Sequence, residues 1–227
     1  AAQFVPLPEG ADARQLAMLA INPPTALLML RQFVDLQPGE WVIQNAANSA
    51  VGGYLIELAK LRGLKTVNVV RRDSAREQME ANPGDVLLVD GDDLAQRVAE
   101  ATGKAKIRLG IDAVGGMATE RLARCVASGG TVVNYGMMSG EPCQISAGSL
   151  VFRDVRLVGF WLARWFRNAS RAEQAEVYGE LTRLIAKGQL QARIAATFPV
   201  SEVKQAVAEA ARGGRSGKVL VVPGADE

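Results

Sequence analysis

The feature that most limits what this chain can fold into is an alternation. Short runs rich in Val, Ile and Leu take turns with longer stretches of helical periodicity. "WVIQNA" reads as a buried strand, and residues 50–61 as a helix ended by Gly63. "KTVNVV", "DVLLVD", "IRLGIDAV", "GGTVVNYG" and "VRLVGFW" read as five further strands. "DSAREQMEA", "DDLAQRVAEAT" and "ATERLARCVAS" read as the helices between them. Two strands joined through a helix lie parallel, and strands apolar on both sides need cover on both faces. The expectation is an α/β fold with a doubly wound parallel sheet.

Around that core the pattern is less regular. Asp12 should cap a short helix with Leu16, Met18 and Leu19, and "PPTALLMLRQFVDL" is a helix with Pro24 in its first turn. After the sixth strand come an amphipathic helix, "RAEQAEVYGELTRLIAKG", and the strand "IAATFPV". Ser201 should then cap a helix carrying Val203, Ala206, Val207 and Ala210, and "GGRSG" is a loop before the last strand, "KVLVV". The chain begins without Met, and residues 1–20 close no fold by themselves, so a preceding portion is expected.

The turn between first strand and first long helix is "QNAANSAVGG". A dinucleotide turn needs a tight bend, close approach of pyrophosphate to backbone N–H groups, and close helix–strand packing, normally from three glycines. Here Ala47 and Ser49 stand where the first two would be, and Gly52 keeps the third place. Ser49 is small and has a hydroxyl to donate to a phosphate oxygen. Asn48 tolerates an unusual backbone angle and has an amide donor. Ala50 and Val51 open the helix, whose N-terminus favours phosphate. The alternative is an ordinary strand–helix turn.

About 20 residues beyond the turn an acid commonly holds the ribose of NAD. This chain has Arg71-Arg72-Asp73 there. Guanidinium groups suit a 2′-phosphate through paired charge-assisted hydrogen bonds, which points to NADP(H). Asp73 leaves contact with ribose, and some use of NAD, open.

The rest of the composition mainly excludes. Charge is close to balanced, 26 Lys and Arg against 24 Asp and Glu, so neither nucleic acid nor a membrane surface is expected as partner. No apolar run approaches the roughly 20 residues of a membrane span, and no signal-peptide pattern opens the chain. Histidine is absent, which removes Ser–His and Cys–His systems and histidine-ligated metals. Cys125 and Cys143 cannot build a disulfide framework, and reduced thiols in the cytoplasm are expected.

"NPPTALLML", "LQPGEWVIQNAANSAVGGYLIELAKLRGLKTVNVVR", "GGTVVNYGMMSGEP", "FRDVRLVGFWLARW" and "GRSGKVLVV" together resemble the medium-chain dehydrogenase/reductase superfamily. The resemblance is greatest to its zinc-independent branch of NADPH-dependent 2-enoyl thioester reductases, with quinone oxidoreductases nearby. It implies a Rossmann domain of strand order 3-2-1-4-5-6 with remnants of a GroES-like catalytic domain at both ends. Residues 1–20 would end the N-terminal catalytic portion, 21–188 form the NADP-binding domain, and 189–227 return to the catalytic domain. The bulk of the N-terminal catalytic domain, which in these enzymes carries the proton-donating tyrosine, is not in this sequence. Tyr54, Tyr135 and Tyr178 do not match its motif, so no catalytic residue is assigned.

The resemblance also implies a cofactor shell. Asn22 would lie near the nicotinamide half. Asn48, Ser49, Ala50 and Val51 would form the pyrophosphate turn, and Arg71, Arg72 and Asp73 would meet the adenosine ribose and its phosphate. Tyr135, Gly136, Met137 and Met138 would lie under the cofactor, Phe160, Trp161 and Leu162 at the carboxamide edge, and Lys218 would reach in from the C-terminal segment. Each has a plainer alternative: Trp161 as a core or dimer-face aromatic, the two methionines as packing, Lys218 as a solvated strand-start residue. Where zinc-dependent relatives place a cysteine ligand, near Ile21, there is no thiol, so no metal is expected.

The implied reaction is hydride transfer from NADPH to the β-carbon of a 2-enoyl thioester. The competing readings are reduction of quinones or other activated alkenes, and a nucleotide-binding module without chemistry. The implied partners are a small-molecule acyl thioester or quinone and a second copy of the chain, as a homodimer joined through "VRLVGFW".

Overall fold

In the computed structural model, residues 12–212, 214 and 217–223 are described. A four-residue helix, α1 (Ala13–Leu16), is capped by the Asp12 carboxylate, which accepts from the Arg14 amide as expected. Helix α2 (Asn22–Gln32) carries proline in its first turn, where no N–H is needed, and buries Leu27, Leu28, Met29 and Leu30.

The sheet follows. Its strands are β1 (Trp41–Gln44), β2 (Lys65–Val70), β3 (Val86–Val89), β4 (Ile107–Asp112), β5 (Thr131–Asn134) and β6 (Arg156–Gly159). They lie in the order β3-β2-β1-β4-β5-β6, and every neighbouring pair is parallel. This is the expected doubly wound order. Its consequence is a reversal of winding between β1 and β4, which opens a crevice beyond the carboxyl ends of those strands.

Period-two alternation sorts the strand side chains to two faces. On one, Val42, Leu109 and Val133 pack with Leu27 and Leu30 of α2 and with Leu55 and Leu58 of α3 (Ala50–Leu61). Leu181 of α7 (Arg171–Ala186) completes this layer. On the other, Ile43, Val67, Val69 and Val132 pack with Leu94 and Val98 of α4 (Leu94–Thr102) and Leu122 of α5 (Met117–Cys125). Each such Leu or Ile, taken fully from water, contributes about 1.5–3 kcal/mol.

Beyond α6 (Leu162–Asn168) and α7, strands β7 (Ile194–Pro199) and β8 (Lys218–Val222) pair in parallel around α8 (Val203–Ala211), a small β-α-β unit with its own two-stranded sheet. The "RAEQ" stretch opens α7 with a capping box: Ser170 Oγ accepts from the Glu173 amide and the Glu173 carboxylate from the Ser170 amide.

Two local expectations need correction, and one helix is new. "DSAREQMEA" is not one helix but two 3₁₀ turns, Asp73–Ala75 and Glu77–Met79, each closed by an i to i+3 bond. Ala75 and Met79 are buried and draw the segment inward, while Gly84, with φ of +70°, and Pro83 end it against Thr66 and Asn68 of β2. Ser201 does not cap α8; it lies inside a 3₁₀ turn, Val200–Glu202, and the cap position falls to Glu202 without a side-chain bond. The stretch after β6 is helical as α6, preceded in the chain by a π-turn over Gly148–Phe152.

Candidate nucleotide site

The sequence from Trp41 to Leu61 builds the centre of the site. After β1 the chain turns at Ala46, whose φ of 47° places a residue with a side chain in the left-handed region. The unusual angle was expected at Asn48 and is found two residues earlier. Ala47 is buried and its amide donates to the Val69 carbonyl at 3.1 Å, tying the turn to β2. A Cβ on Gly52 would lie 2.4 Å from the Ala47 carbonyl oxygen, so only glycine lets α3 come this close. That is the third-glycine role.

Ser49 is the N-cap of α3, and its Oγ accepts from the Gly52 amide at 3.1 Å. The cap uses a lone pair of Ser49 and not the O–H expected to donate to phosphate. Ala50 and Val51 are the first helical residues, so their N–H groups precede the intrahelical ladder and present positive charge at the crevice. Burial pushes Tyr135 up to about 12, against a smaller lowering by Ser49 and with help from the Asp112 charge.

Residues 71–73, 135–138 and 160–162 follow β2, β5 and β6 and so lie at the same end of the sheet. Arg71, Arg72 and Asp73 follow β2 and are exposed; Asp73 faces Arg76 at 3.7 Å. Gly136 follows β5, where a Cβ would meet the Ala113 carbonyl oxygen at 2.9 Å. Met137 and Met138 stand exposed, at 66% and 69%, so they are not packing filler in this chain. Phe160 is buried and meets Phe33 edge-to-face at 6.1 Å, which makes it a core residue at the β6 end. Trp161 is 62% exposed, with the Arg167 guanidinium 4.9 Å from its ring, and Leu162 opens α6. Asn22 starts α2, and Lys218 starts β8, where its amide donates to the Arg193 carbonyl.

Sequence reasoning missed the polar layer beneath the crevice. Asp112 is fully buried and accepts from Asn45 Nδ2, Thr119 Oγ1, Asn134 Nδ2 and the amides of Val114 and Gly115, at 2.6–3.1 Å. Five donors satisfy both oxygens and fix the loops after β4 and β5. On the other side of β1, Gln44 Nε2 donates to the Gly52 carbonyl at 3.0 Å and to Asn68 Oδ1 at 2.8 Å. The signal was present: β1, β4 and β5 each end in a polar residue after an apolar run.

Tyr54 and Tyr178 are buried, and burial raises both phenols. The Tyr178 hydroxyl donates to the Ala20 carbonyl, and that of Tyr54 has no partner among the described residues. No group of three or more Cys, Asp or Glu that could hold a metal occurs among the described residues. Burial pushes the Cys125 thiol up to about 12, which makes it a poor ligand, and Cys143 lies exposed.

The family model for zinc-binding dehydrogenases matches residues 50–187, from the first residue of α3 to the residue after α7. The chain belongs to the zinc-binding dehydrogenase family, within the medium-chain dehydrogenase/reductase superfamily. Among relatives of this family, the mitochondrial enoyl-[acyl-carrier-protein] reductase of Dictyostelium discoideum is 36% identical over 96% of this chain and 64% of its own length. The chain therefore spans less than two thirds of that relative. A protein assigned as an NADPH:quinone reductase of Bacillus thuringiensis has a similar structure: TM-score 0.82, 27% identity, 95% of this chain and 66% of that one. The mitochondrial 2-enoyl thioester reductase heterodimer of Candida tropicalis matches with a TM-score of 0.84 over 95% of this chain and 63% of that one; at 22% identity it speaks for the fold. The residues present do not fit the zinc in the family's name: the chain has no histidine, and its two cysteines are placed as described.

Proposed function

We propose that this chain forms the nucleotide-binding part of a zinc-independent, NADPH-dependent reductase of 2-enoyl thioesters. The observation that carries the reading is the 36% identity to an enoyl reductase across almost the whole chain. The geometry agrees in kind. The Ala50 and Val51 amides would hold pyrophosphate, with Ser49 keeping the helix end in place. Arg71 and Arg72 would pair with the 2′-phosphate, and Asp73 would take the ribose. The loop of Gly136, Met137 and Met138, with Trp161, would border the nicotinamide half. When bound, NADPH supplies a hydride for the β-carbon, and a proton added at the α-carbon completes the saturated thioester. The chain's own contribution is to bind and orient. No residue here is assigned the proton.

The division at residues 20 and 188 and pairing of two copies through β6 belong to the same proposal. A second reading, reduction of quinones or other activated alkenes, is favoured by the 27% identity to the Bacillus protein. The test joins binding to turnover. Calorimetry should show NADPH binding by this chain, and a longer form carrying the expected preceding portion should consume NADPH with crotonyl-CoA. Consumption with a quinone alone would favour the second reading. Binding by this chain without consumption by that longer form would leave a nucleotide-binding module.

The arginines give a sharper check on the cofactor. Arg71→Ala/Arg72→Ala should weaken NADPH by at least about thirtyfold, because hydrogen bonds to charged groups contribute roughly 1.5–3 kcal/mol with incomplete additivity. NADH should change little. Equal losses for both cofactors would mean that the arginines do not read the phosphate.

A further inference from the structure

We propose that Gln78 is a positioning residue that ties the C-terminal loop to the pyrophosphate turn and so orders the adenosine side of the nucleotide site. The inference rests on the NADPH reading. Asn48 Nδ2 donates to Gln78 Oε1 at 2.9 Å, and Gln78 Nε2 donates to the Gly214 carbonyl at 3.1 Å. Gly214 itself lies against Arg72: a methyl there would be 3.8 Å from Nη2. One side chain thus joins the turn at residue 48 to Gly214, 136 positions beyond Gln78 itself, beside an arginine expected to meet the 2′-phosphate.

The direction of the relay is set by its last acceptor. A backbone carbonyl only accepts, so the Gln78 amide must turn its NH₂ to Gly214 and its oxygen to Asn48. Asn48 must then turn its own NH₂ to Gln78. The second N–H of Asn48 remains for the crevice, with its orientation already fixed. Gln78 can hold this position because its neighbour Met79 is buried at 5% and anchors the 3₁₀ turn.

Gln78→Met keeps the length of the side chain and removes both hydrogen bonds. The melting temperature without ligand should stay near wild type, since both bonds are exposed. Affinity for 2′,5′-ADP, which probes the adenosine half alone, should fall about tenfold, as should affinity for NADPH, from two hydrogen bonds of ordinary net strength. In an Asn48→Ala background the same substitution should cost clearly less, because half of the relay is already gone. NADPH should protect the chain from trypsin at Arg212 in wild type and protect it less in Gln78→Met. Unchanged 2′,5′-ADP affinity in Gln78→Met, or full additivity with Asn48→Ala, would overturn the inference alone. Wild type that binds no NADPH would remove the nucleotide reading and this inference with it.

Discussion

At the scale of single residues, the turn offers two substitutions that separate fold from ligand. Ser49→Asp keeps an oxygen for the Gly52 amide, and Asp caps helices about as well as Ser, so melting should hold within a few degrees. The new charge, however, would stand where phosphate is expected, and NADPH affinity measured by calorimetry should collapse. Retained affinity would show that phosphate sits elsewhere. Gly52→Val should lose both: the Ala47 carbonyl is too close for any Cβ, and overpacking costs about 1–3 kcal/mol. Tyr54→Phe tests a different point. The Tyr54 hydroxyl is buried without a partner among the described residues, so removing it should leave thermal stability unchanged or raise it, by up to about 1–3 kcal/mol. A clear fall in melting temperature would reveal a partner for that hydroxyl. These cases also mark what single letters disclose. Gly52 was legible because its role depends on one missing atom. Ser49 was half legible: a small hydroxyl residue before a helix fits a cap as well as a ligand contact, and the 3.1 Å bond from Gly52 establishes the cap. Gln78 was not legible, since its partners lie 30 and 136 residues away.

At the scale of elements, α5 and the π-turn before β6 are joined by one carboxylate. Glu120 accepts from the Ser146 amide at 2.8 Å, from Ser149 Oγ at 3.4 Å and from Arg124 at 2.9 Å. Burial alone would raise its pKa, but the Ser146 bonds and the Arg124 charge outweigh burial and hold the carboxyl below its ordinary 4.5. A lowered folded pKa means stability that is full above the unfolded value and is lost as pH falls through the folded one. Glu120→Gln should therefore be less stable than wild type at neutral pH, and the difference should shrink below about pH 4.5. Denaturation midpoints across that range are the measurement; a difference independent of pH would show that charge at Glu120 is not what joins the elements. The elements themselves were mostly readable, because runs such as "KTVNVV" leave little choice of period. Where reading failed, local pattern met a tertiary demand. The "DSAREQMEA" stretch has helical composition, but burial of Ala75 and Met79 and the closure at Pro83 and Gly84 divide it into two short turns. The polar strand ends went unread as a network because Asn45, Asp112 and Asn134 meet only once β1, β4 and β5 are side by side.

At the scale of the whole molecule, the open question is what covers the β6 edge. β6 is the last strand of the sheet, so one row of its backbone groups has no strand beside it among the described residues. The amides of Arg156 and Phe160 donate inward, to Gly130 and Asn134. Amides on a strand alternate in direction, so those of Leu157 and Gly159 face outward. Just before the strand, Val151 and Phe152 are exposed at 71% and 85%, an apolar flank that a lone edge would not normally show. Pairing with a second β6 across a two-fold axis would satisfy the outward amides and bury that flank. Gly159→Pro removes an outward N–H and leaves the inward bonds alone; a Cβ there meets only the Asn134 oxygen, at 4.0 Å, so the site has room. Phe152→Glu makes the flank charged without touching the strand. Light scattering at micromolar concentration should give a dimer for the parent chain and a shift toward monomer for both variants, with circular dichroism unchanged. A parent chain that stays monomeric, or variants that dimerise as well as the parent, would place the contact somewhere other than this edge.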